Sequence, residues 1–399
     1  MLPISATVRL KPGHVQPVWA GHPWVYAQAV DRVEGGATRG DEVSVLDPRG
    51  NLLGRGFYSP GSAIPVRLLV RDAETWIDGA FFRQRILRAL EARREMGVAT
   101  DATNGYRLVH AEGDGLPGLI VDRFDDVLVV QFLTFGMKSR EGLVLEALMS
   151  TLSPRAILDR TPAGAAKNEG FAAASGVVRG EEITELVFKE RGLVFRLPLD
   201  LGQKTGFYFD QRGLRARVEE LARGRRVLDA YTYVGAFAMS AARGGAKSVL
   251  AIDDSAIAVE IGALCAKENG LDANIAFARE DARKTLQRAG IEGGYDLVIV
   301  DPPRLAPSRS AREGALVAYA KLAEAACRAT RPGGLLVVCS CSAAVDLTAL
   351  TRALATGALR ANVTATVQER HFQGADHPVS AAFGEGLYLK ALIARVDKR

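Results

Sequence analysis

The stretch "LLVVCSCSAAVD" (335–346) places Cys339 and Cys341 one residue apart at the end of an apolar run, in a chain with four cysteines in all. Such a pair could clip a metal, act as a redox couple, fill a core or attack an electrophile. Zinc usually takes four ligands with C-x₂₋₄-C spacing, and Cys265 and Cys327 fall inside helical patterns, so no metal is expected. The C-x-x-C redox spacing is also absent. Residues two apart on a strand share a face, so Cys339 should lie deeper and Cys341 at the strand tip. A cysteine inside an apolar run is normally packing, which suits Cys339. Cys341, between Ser340 and Ser342, is the candidate nucleophile.

The elements that must position it begin near residue 225, where strand and helix patterns alternate. "RRVLDA", "SVLAID", "IAFARED", "YDLVIVDPP" and "GLLVVCSCS" each lead into a helical stretch. Such alternation predicts an α/β fold with a doubly wound parallel sheet, whose ligands bind outside the carboxyl ends of the strands. The residues at those ends are Asp229–Gly235, Asp253, Glu280–Asp281, Asp301–Pro303 and Ser340–Ser342. The polar candidates of this half therefore share one rim.

The first turn, "DAYTYVGAF" (229–237), has one glycine, Gly235, where a dinucleotide fingerprint needs three. A ligand with adenosine and no phosphate fits better, and S-adenosylmethionine is the common one. Asp253 ends the second strand, where an acidic side chain accepts ribose hydroxyls. Asp281 ends the third and could accept from an adenine amino group. A helix cap is the plain alternative for both. In "DPPR" (301–304) two prolines stiffen the chain and remove two backbone donors, holding Asp301 towards the crevice. An ordinary strand-ending turn is the alternative there. Arg304 stands where amino-methylating enzymes often carry an aromatic residue, which argues against methylation of an exocyclic amine. A rim thiolate beside a methyl donor has a specific use. Added to C6 of a pyrimidine, it makes C5 enamine-like and able to take a methyl group. The base must then be unstacked to admit the thiol.

Upstream, residues 1–72 carry short alternating runs between turn signals and read as a small β module. A helix follows in "DGAFFRQRILRALEARREMG", with Asp78 as N-cap, Phe82, Ile86, Leu87 and Leu90 as its apolar stripe and arginines opposite. Residues 103–190 mix strands with a helix near 139–152 and read as antiparallel α+β. The chain has 399 residues, 48% of them hydrophobic, enough for two or three domains. No apolar run is long enough to cross a membrane and no signal peptide is evident, so a cytoplasmic location with reduced thiols is expected. Lys and Arg (51) exceed Asp and Glu (46) by only five, which agrees with a nucleic-acid partner without requiring one.

Taken together, "GHPWVYAQAV" (21–30), "GRGFYSPGS" (54–62), "RLVHAEGDGLPGLIVDRF" (107–124), "GQKTGFYFDQR" (202–212), "DPPR", "SCS" (340–342) and "ADHPVSAAFGEGLYLK" (375–390) support one resemblance. Over nearly its whole length the chain resembles the bacterial 23S ribosomal RNA (cytosine-5) methyltransferases that carry an N-terminal PUA domain. The resemblance implies domains at 1–75 (PUA-like), 76–198 (central α+β with its linking helix) and 199–399 (S-adenosylmethionine-dependent methyltransferase). It implies that Gln211 and Tyr231 touch S-adenosylmethionine, that Gly235 leaves room for the methionine part, and that Asp253 and Asp281 hold the ribose and adenine. Cys341 would be the nucleophile, acting alone because Pro302 stands where two-cysteine relatives carry the second thiol. Asp301 would serve both cofactor and catalysis.

The partner implied is 23S ribosomal RNA, with Lys204, Tyr208, Arg212 and Arg304 as contacts; no membrane is involved, and a homodimer is compatible. Phe207, Tyr208 and Phe209 could stack on a base or merely seal a sheet edge. In the PUA-like part, Arg9, Lys11, Arg32, Arg39, Arg49 and Arg55 are candidate phosphate binders, while Trp24 and Tyr26 read as core. Two competing readings remain open: methylation of another RNA atom such as a guanine ring nitrogen, which would not need Cys341, and a non-catalytic ribosome-assembly factor.

Overall fold

The computed structural model describes residues 6–201, 205–306, 308 and 310–399. The chain divides into two compact units, one of Met1–Gly192, Pro198–Phe209 and Ala375–Gly386, the other of Leu193–Leu197, Asp210–Gly374 and Leu387–Arg399. Both the expected PUA-like module and most of the expected central domain fall within the first.

That unit opens with strands β1 (Thr7–Leu10), β2 (Trp24–Val25), β3 (Val30–Glu34), β4 (Glu42–Leu46), β5 (Leu52–Tyr58) and β6 (Val66–Val70), in the sheet order β2-β6-β5-β4-β1-β3. The period of two is visible in β4, where Val43 and Val45 are buried and their neighbours are not. Helix α1 (Gly79–Glu95) follows, and the Asp78 carboxylate caps it by accepting from the Phe81 amide at 2.9 Å. Its buried face is Phe81, Phe82, Ile86, Ala89 and Leu90. Leu87, expected in that stripe, is exposed instead, because it sits a further 100° around the helix from Ile86.

Next come β7 (Gly105–His110), β8 (Leu119–Phe124), β9 (Val127–Phe132), α2 (Glu141–Leu152), β10 (Ala156–Arg160) and β11 (Ser175–Gly180). The sheet order is β11-β10-β9-β8-β7, and β9 pairs with β10 in parallel. The expected all-antiparallel arrangement fails at this pair because α2 carries the chain back to the end where β9 began.

The second unit contains α3 (Arg212–Leu221), β12 (Arg226–Ala230), α4 (Ala236–Arg243), β13 (Ser248–Asp253), α5 (Ala256–Glu268), β14 (Ile275–Arg279), α6 (Ala282–Ile291), β15 (Tyr295–Val300), α7 (Arg312–Ala329), β16 (Thr330–Ser340), α8 (Leu347–Arg360), β17 (Val363–Phe372) and β18 (Lys390–Lys398). The five alternations read from the sequence form the parallel part of a seven-stranded sheet, ordered β14-β13-β12-β15-β16-β18-β17. The last two strands, which the periodicity did not reveal, form an antiparallel pair that continues the sheet beside β16. Its core is aliphatic and alanine-rich, with Leu228, Ile252, Val298, Val300, Leu336 and Val338 from the strands packed on helices α6, α7 and α8.

One charged cluster is built into the first unit. Arg93, expected on the solvent face of α1, is 1% exposed. Its guanidinium makes a forked pair with Asp114 at 2.6 and 2.8 Å and donates to the Arg107 and Asp376 carbonyls at 3.0 and 2.9 Å. Gly113 lies so close to the Pro378 carbonyl that an added Cβ would stand 2.0 Å from it. The segment around residue 376 is thus held by bonds that a sequence pattern cannot display. Removing one partner of a buried pair strands the other. Arg93→Met is therefore expected to lower stability by about 3–5 kcal/mol, read as a fall in the urea midpoint; an unchanged midpoint would contradict this packing.

Candidate active site

Register sets the rim. Ala230 of β12 is level with Ile252 of β13 and Val300 of β15. Asp253 and Asp301 therefore each stand one residue beyond that level, and Asp229 one residue below it. After β12 the backbone turns through Tyr231 and Tyr233, both at positive φ (67° and 52°), and then Gly235 at 77°. Non-glycine residues held there cost on the order of 1–3 kcal/mol each and gather at functional sites. Gly235 is required by packing as well as by φ, since a Cβ would lie 2.6 Å from the Phe277 ring. That contact accounts for the glycine without any ligand.

The carboxylates have distinct surroundings. Asp253 accepts from the Tyr233 amide at 2.9 Å and the Ser255 amide at 3.0 Å, so it pins the strained turn to the end of β13. It is not the cap of α5, a role taken by Ser255. Burial pushes its pKa up. Asp281 does cap its helix, accepting from the Lys284 amide at 2.9 Å, and it also borders the cleft described next. Asp301 accepts from Gln211 Nε2 at 3.0 Å, while Gln211 Oε1 is buried with no hydrogen-bond partner among the described residues. Asp229 is fully buried, and loss of solvent around its anion raises its pKa to about 7. The Thr232 hydroxyl, which donates to it, opposes that rise, and the nearby Asp301 and Asp253 charges add to it.

A cleft of about 200 Å³ opens over these strand ends, lined by Tyr231, Asp253, Asp254, Asp281 and Arg283 together with Pro302, Pro303, Leu305, Ala318 and Leu322. Its lining combines carboxylate acceptors with apolar surface. This donor set suits an adenosine with a cationic tail better than a pyrophosphate, which would meet the acidic lining. Arg283 and Asp254 are members that sequence reading missed; only their adjacency to Asp281 and Asp253 hinted at them. Among the described residues no group of three His, Cys, Asp or Glu could hold a metal ion.

Around β16, Cys339 is fully buried and Cys341, one residue past the strand end, is partly exposed. Burial, helped by the Asp301 charge, holds the Cys339 thiol well above its ordinary pKa. Both flanking serines are anchored. Ser340 Oγ accepts from the Tyr319 hydroxyl at 2.9 Å, and Ser342 Oγ accepts from the Ala306 amide at 3.1 Å. Desolvation pushes the Tyr319 phenol up to about 12. Lys390, to which no role was assigned from the sequence, is buried at the start of β18 and donates to the Ser342 carbonyl at 2.9 Å. A lone lysine leading the apolar run "LYLKALIARV" was the available signal.

The expected RNA contacts fare unevenly. Lys204 lies outside the described residues. Arg304 is exposed and Tyr208 is half-buried. Arg212 is buried, which removes it from a surface that could meet phosphate. Phe207 and Phe209 are core, 5.0 and 5.4 Å from Phe188, with Phe209 also 5.2 Å from Phe124, so they cannot also stack on a base. Arg55 is likewise buried, spent on the Ala73 and Thr75 carbonyls and Glu42. Arg32 is tied to Asp31 and Glu34, Arg9 to the Asp47 carbonyl and Arg39 to the Glu169 carbonyl, while Lys11, Arg32, Arg39 and Arg49 are all exposed. Trp24 and Tyr26, expected as core, are half-buried, with their polar tips bonded to Glu112 and Glu385.

Residues 107–379 match the family of S-adenosylmethionine-dependent methyltransferases, and residues 8–71 match the PUA-like domain. The chain is 37% identical to ribosomal RNA large subunit methyltransferase I of Shewanella denitrificans over 397 residues, covering 98% of this chain and all of that protein. It is 36% identical to the protein of the same name from Aeromonas hydrophila, with the same coverage. Among solved structures, a SAM-dependent methyltransferase from Streptococcus mutans superposes with a TM-score of 0.82 at 18% identity, over 97% of this chain and 99% of that one. Another methyltransferase, complexed with SAH, gives a TM-score of 0.83 at 18% identity. At that identity the likeness speaks for the fold. Among the described residues no helix is long and apolar enough to cross a membrane.

The raised pKa of Asp229 has a stability consequence. Folded, the group titrates at about 7; its ordinary value is 3.8. Between those values the native state keeps a proton that the unfolded chain has released, so this contribution to stability is fully present below about pH 4 and is lost as pH rises through 7. Asp229→Asn should therefore gain on the wild type in urea denaturation as pH rises from 4 to 8. A difference between the two that does not change with pH would refute the assignment.

Proposed function

Because the chain belongs to the S-adenosylmethionine-dependent methyltransferase family, we propose that it methylates carbon 5 of a cytosine in large-subunit ribosomal RNA, with Cys341 as the covalent nucleophile. The substrate class follows the names of its relatives and the PUA-like domain at its start. The observation that carries the chemistry is the position of Cys341, accessible at the tip of β16 between two anchored serines, on the same edge as Asp301.

Tyr231, Asp253, Asp281 and Gln211 would hold the cofactor, with Asp253 towards the ribose and Asp281 towards the adenine. Bound S-adenosylmethionine supplies an electrophilic methyl group. The Cys341 thiolate adds to C6 of the base, and the electron pair displaced onto C5 makes that carbon the methyl acceptor. Loss of the C5 proton to a base then returns the pair, breaks the S–C6 bond and frees the thiolate. Asp301, steadied by Gln211, faces the reacting base and orients it. The target nucleotide must leave its stack to reach the thiol, at a cost of a few kcal/mol. Arg304, exposed after the two prolines, is placed to meet a phosphate.

Two outcomes test this reading. Asp253→Ala should weaken S-adenosylmethionine binding by about 1–3 kcal/mol in calorimetry, because the ribose hydroxyls lose their acceptor; unchanged affinity would remove Asp253 from the cofactor site. Cys341→Ala should keep cofactor and RNA binding and lose methyl transfer, whereas Cys339→Ala should retain the transfer and lose stability. RNA carrying 5-fluorocytidine at the target should trap a protein adduct, since fluorine cannot leave as the proton does. An equal adduct yield with Cys341→Ala would sink the nucleophile assignment, and methylation by that variant with no adduct in either protein would favour a ring-nitrogen target.

A further inference from the structure

Lys390 is 4% exposed, yet it opens β18, whose next residues Ala391, Leu392, Ile393 and Ala394 are all core. A buried ammonium is expensive unless it is paired or does something there. The antiparallel register puts it level with Ser340. Its Nζ donates to the carbonyl of Ser342 at 2.9 Å, the residue directly after Cys341. Burial lowers the Lys390 pKa, and the Cys341 and Asp346 charges act in the opposite sense. Other ionisable groups also interact with this thiol. They are Tyr319 from α7, bonded to Ser340, and Cys339 from within β16. Asp301 acts on both of these and adds negative charge to the neighbourhood.

We propose that Lys390 is a positioning residue whose buried ammonium, anchored on the Ser342 carbonyl, stabilises the Cys341 thiolate and so sets the fraction of nucleophile available near neutral pH. The inference rests on the reading of Cys341 as the nucleophile. The thiol proton leaves to solvent, Lys390 keeps its own proton throughout, and the fixed positive charge opposes the acidic groups around it. An opposite charge within about 4–6 Å typically moves a pKa by one unit or more. The bond to the Ser342 carbonyl has a second effect, since it ties the backbone beside Cys341 to β18 and limits where the sulfur can swing.

The test needs neither RNA nor methyl transfer, so it separates this inference from the cytosine-5 reading, which the fluorocytidine adduct decides. The full chain is alkylated with iodoacetamide across pH 5–10, and modification of Cys341 is followed by mass spectrometry of its peptide. Wild type should reach half its maximal rate below about pH 8.5, the ordinary thiol value. Lys390→Met, which removes both charge and donor, and Lys390→Gln, which removes the charge and retains a donor for the Ser342 carbonyl, should each raise that midpoint by about one pH unit or more. Alkylation near pH 7 should slow about tenfold in both. S-adenosylmethionine titration and thermal melting report whether each variant is folded. A Lys390→Gln midpoint equal to that of wild type would show that the hydrogen bond and not the charge matters, and would overturn the proposal. A wild-type midpoint at or above about 8.5 overturns it whether or not the variants fold.

Discussion

Parallel strands that share a starting edge finish together on the opposite one, and here that edge receives a crowd of carboxylates. Asp229, Asp253 and Asp301 belong to three adjacent strands, and each lies within one residue of the same level. Like charges so close oppose one another, and burial weakens the water that would screen them. The structure answers in separate ways. Asp229 is pressed towards its neutral form, Asp253 is given two backbone amides, and Asp301 is given the Gln211 amide. What remains is an edge with negative potential and a half-apolar cleft above it, a place where a cation attached to an adenosine is favoured. The strained turn at Tyr231 and Tyr233 depends on the same arrangement, because the Asp253 carboxylate accepts one of its amides.

The other end of the site depends on an element that runs against the parallel strands. Only because β18 is antiparallel to β16 does its first residue arrive where β16 ends. A parallel neighbour would begin at the far side of the sheet and bring its C-terminal residue to this edge instead. Cys341 therefore shares an edge with the carboxylate-bearing strands and adjoins the carbonyl that holds the Lys390 ammonium. The division of labour between Cys339 and Cys341 has the same origin: two residues on one face differ by a single step in depth, and that step separates a fully buried thiol from an accessible one.

The first unit shows a comparable reliance on distant pairing. Most of its strands and helices are explained by local patterning, but Arg93 is drawn inward by Asp114 and by the segment near Asp376, which is far away in sequence. The RNA-facing surface is reshaped by the same kind of contact. Arg55 and Arg212 carry the right charge for phosphate, yet both are buried, Arg55 on the Ala73 and Thr75 carbonyls, and the two phenylalanines of "KTGFYFDQ" fill a core that their residue type always permitted.

Much of the architecture was therefore legible in the residues. Period-two runs give the first module, apolar alternation gives the five parallel strands, and the strand-end rule places Asp253, Asp281, Asp301 and Cys341 on one edge. These are local signals, and a chain with strong local signals folds where they point. The C-terminal strand pair, the parallel pairing of β9 with β10, the inward turn of Arg93 and the burial of Lys390 were not legible. Each depends on which distant segment arrives beside it, as Lys390 meets a carbonyl 48 residues earlier in the chain. Residue type and spacing determine what a side chain can do. Which of those capacities is used depends on depth and neighbours, and those exist only after the strands have paired.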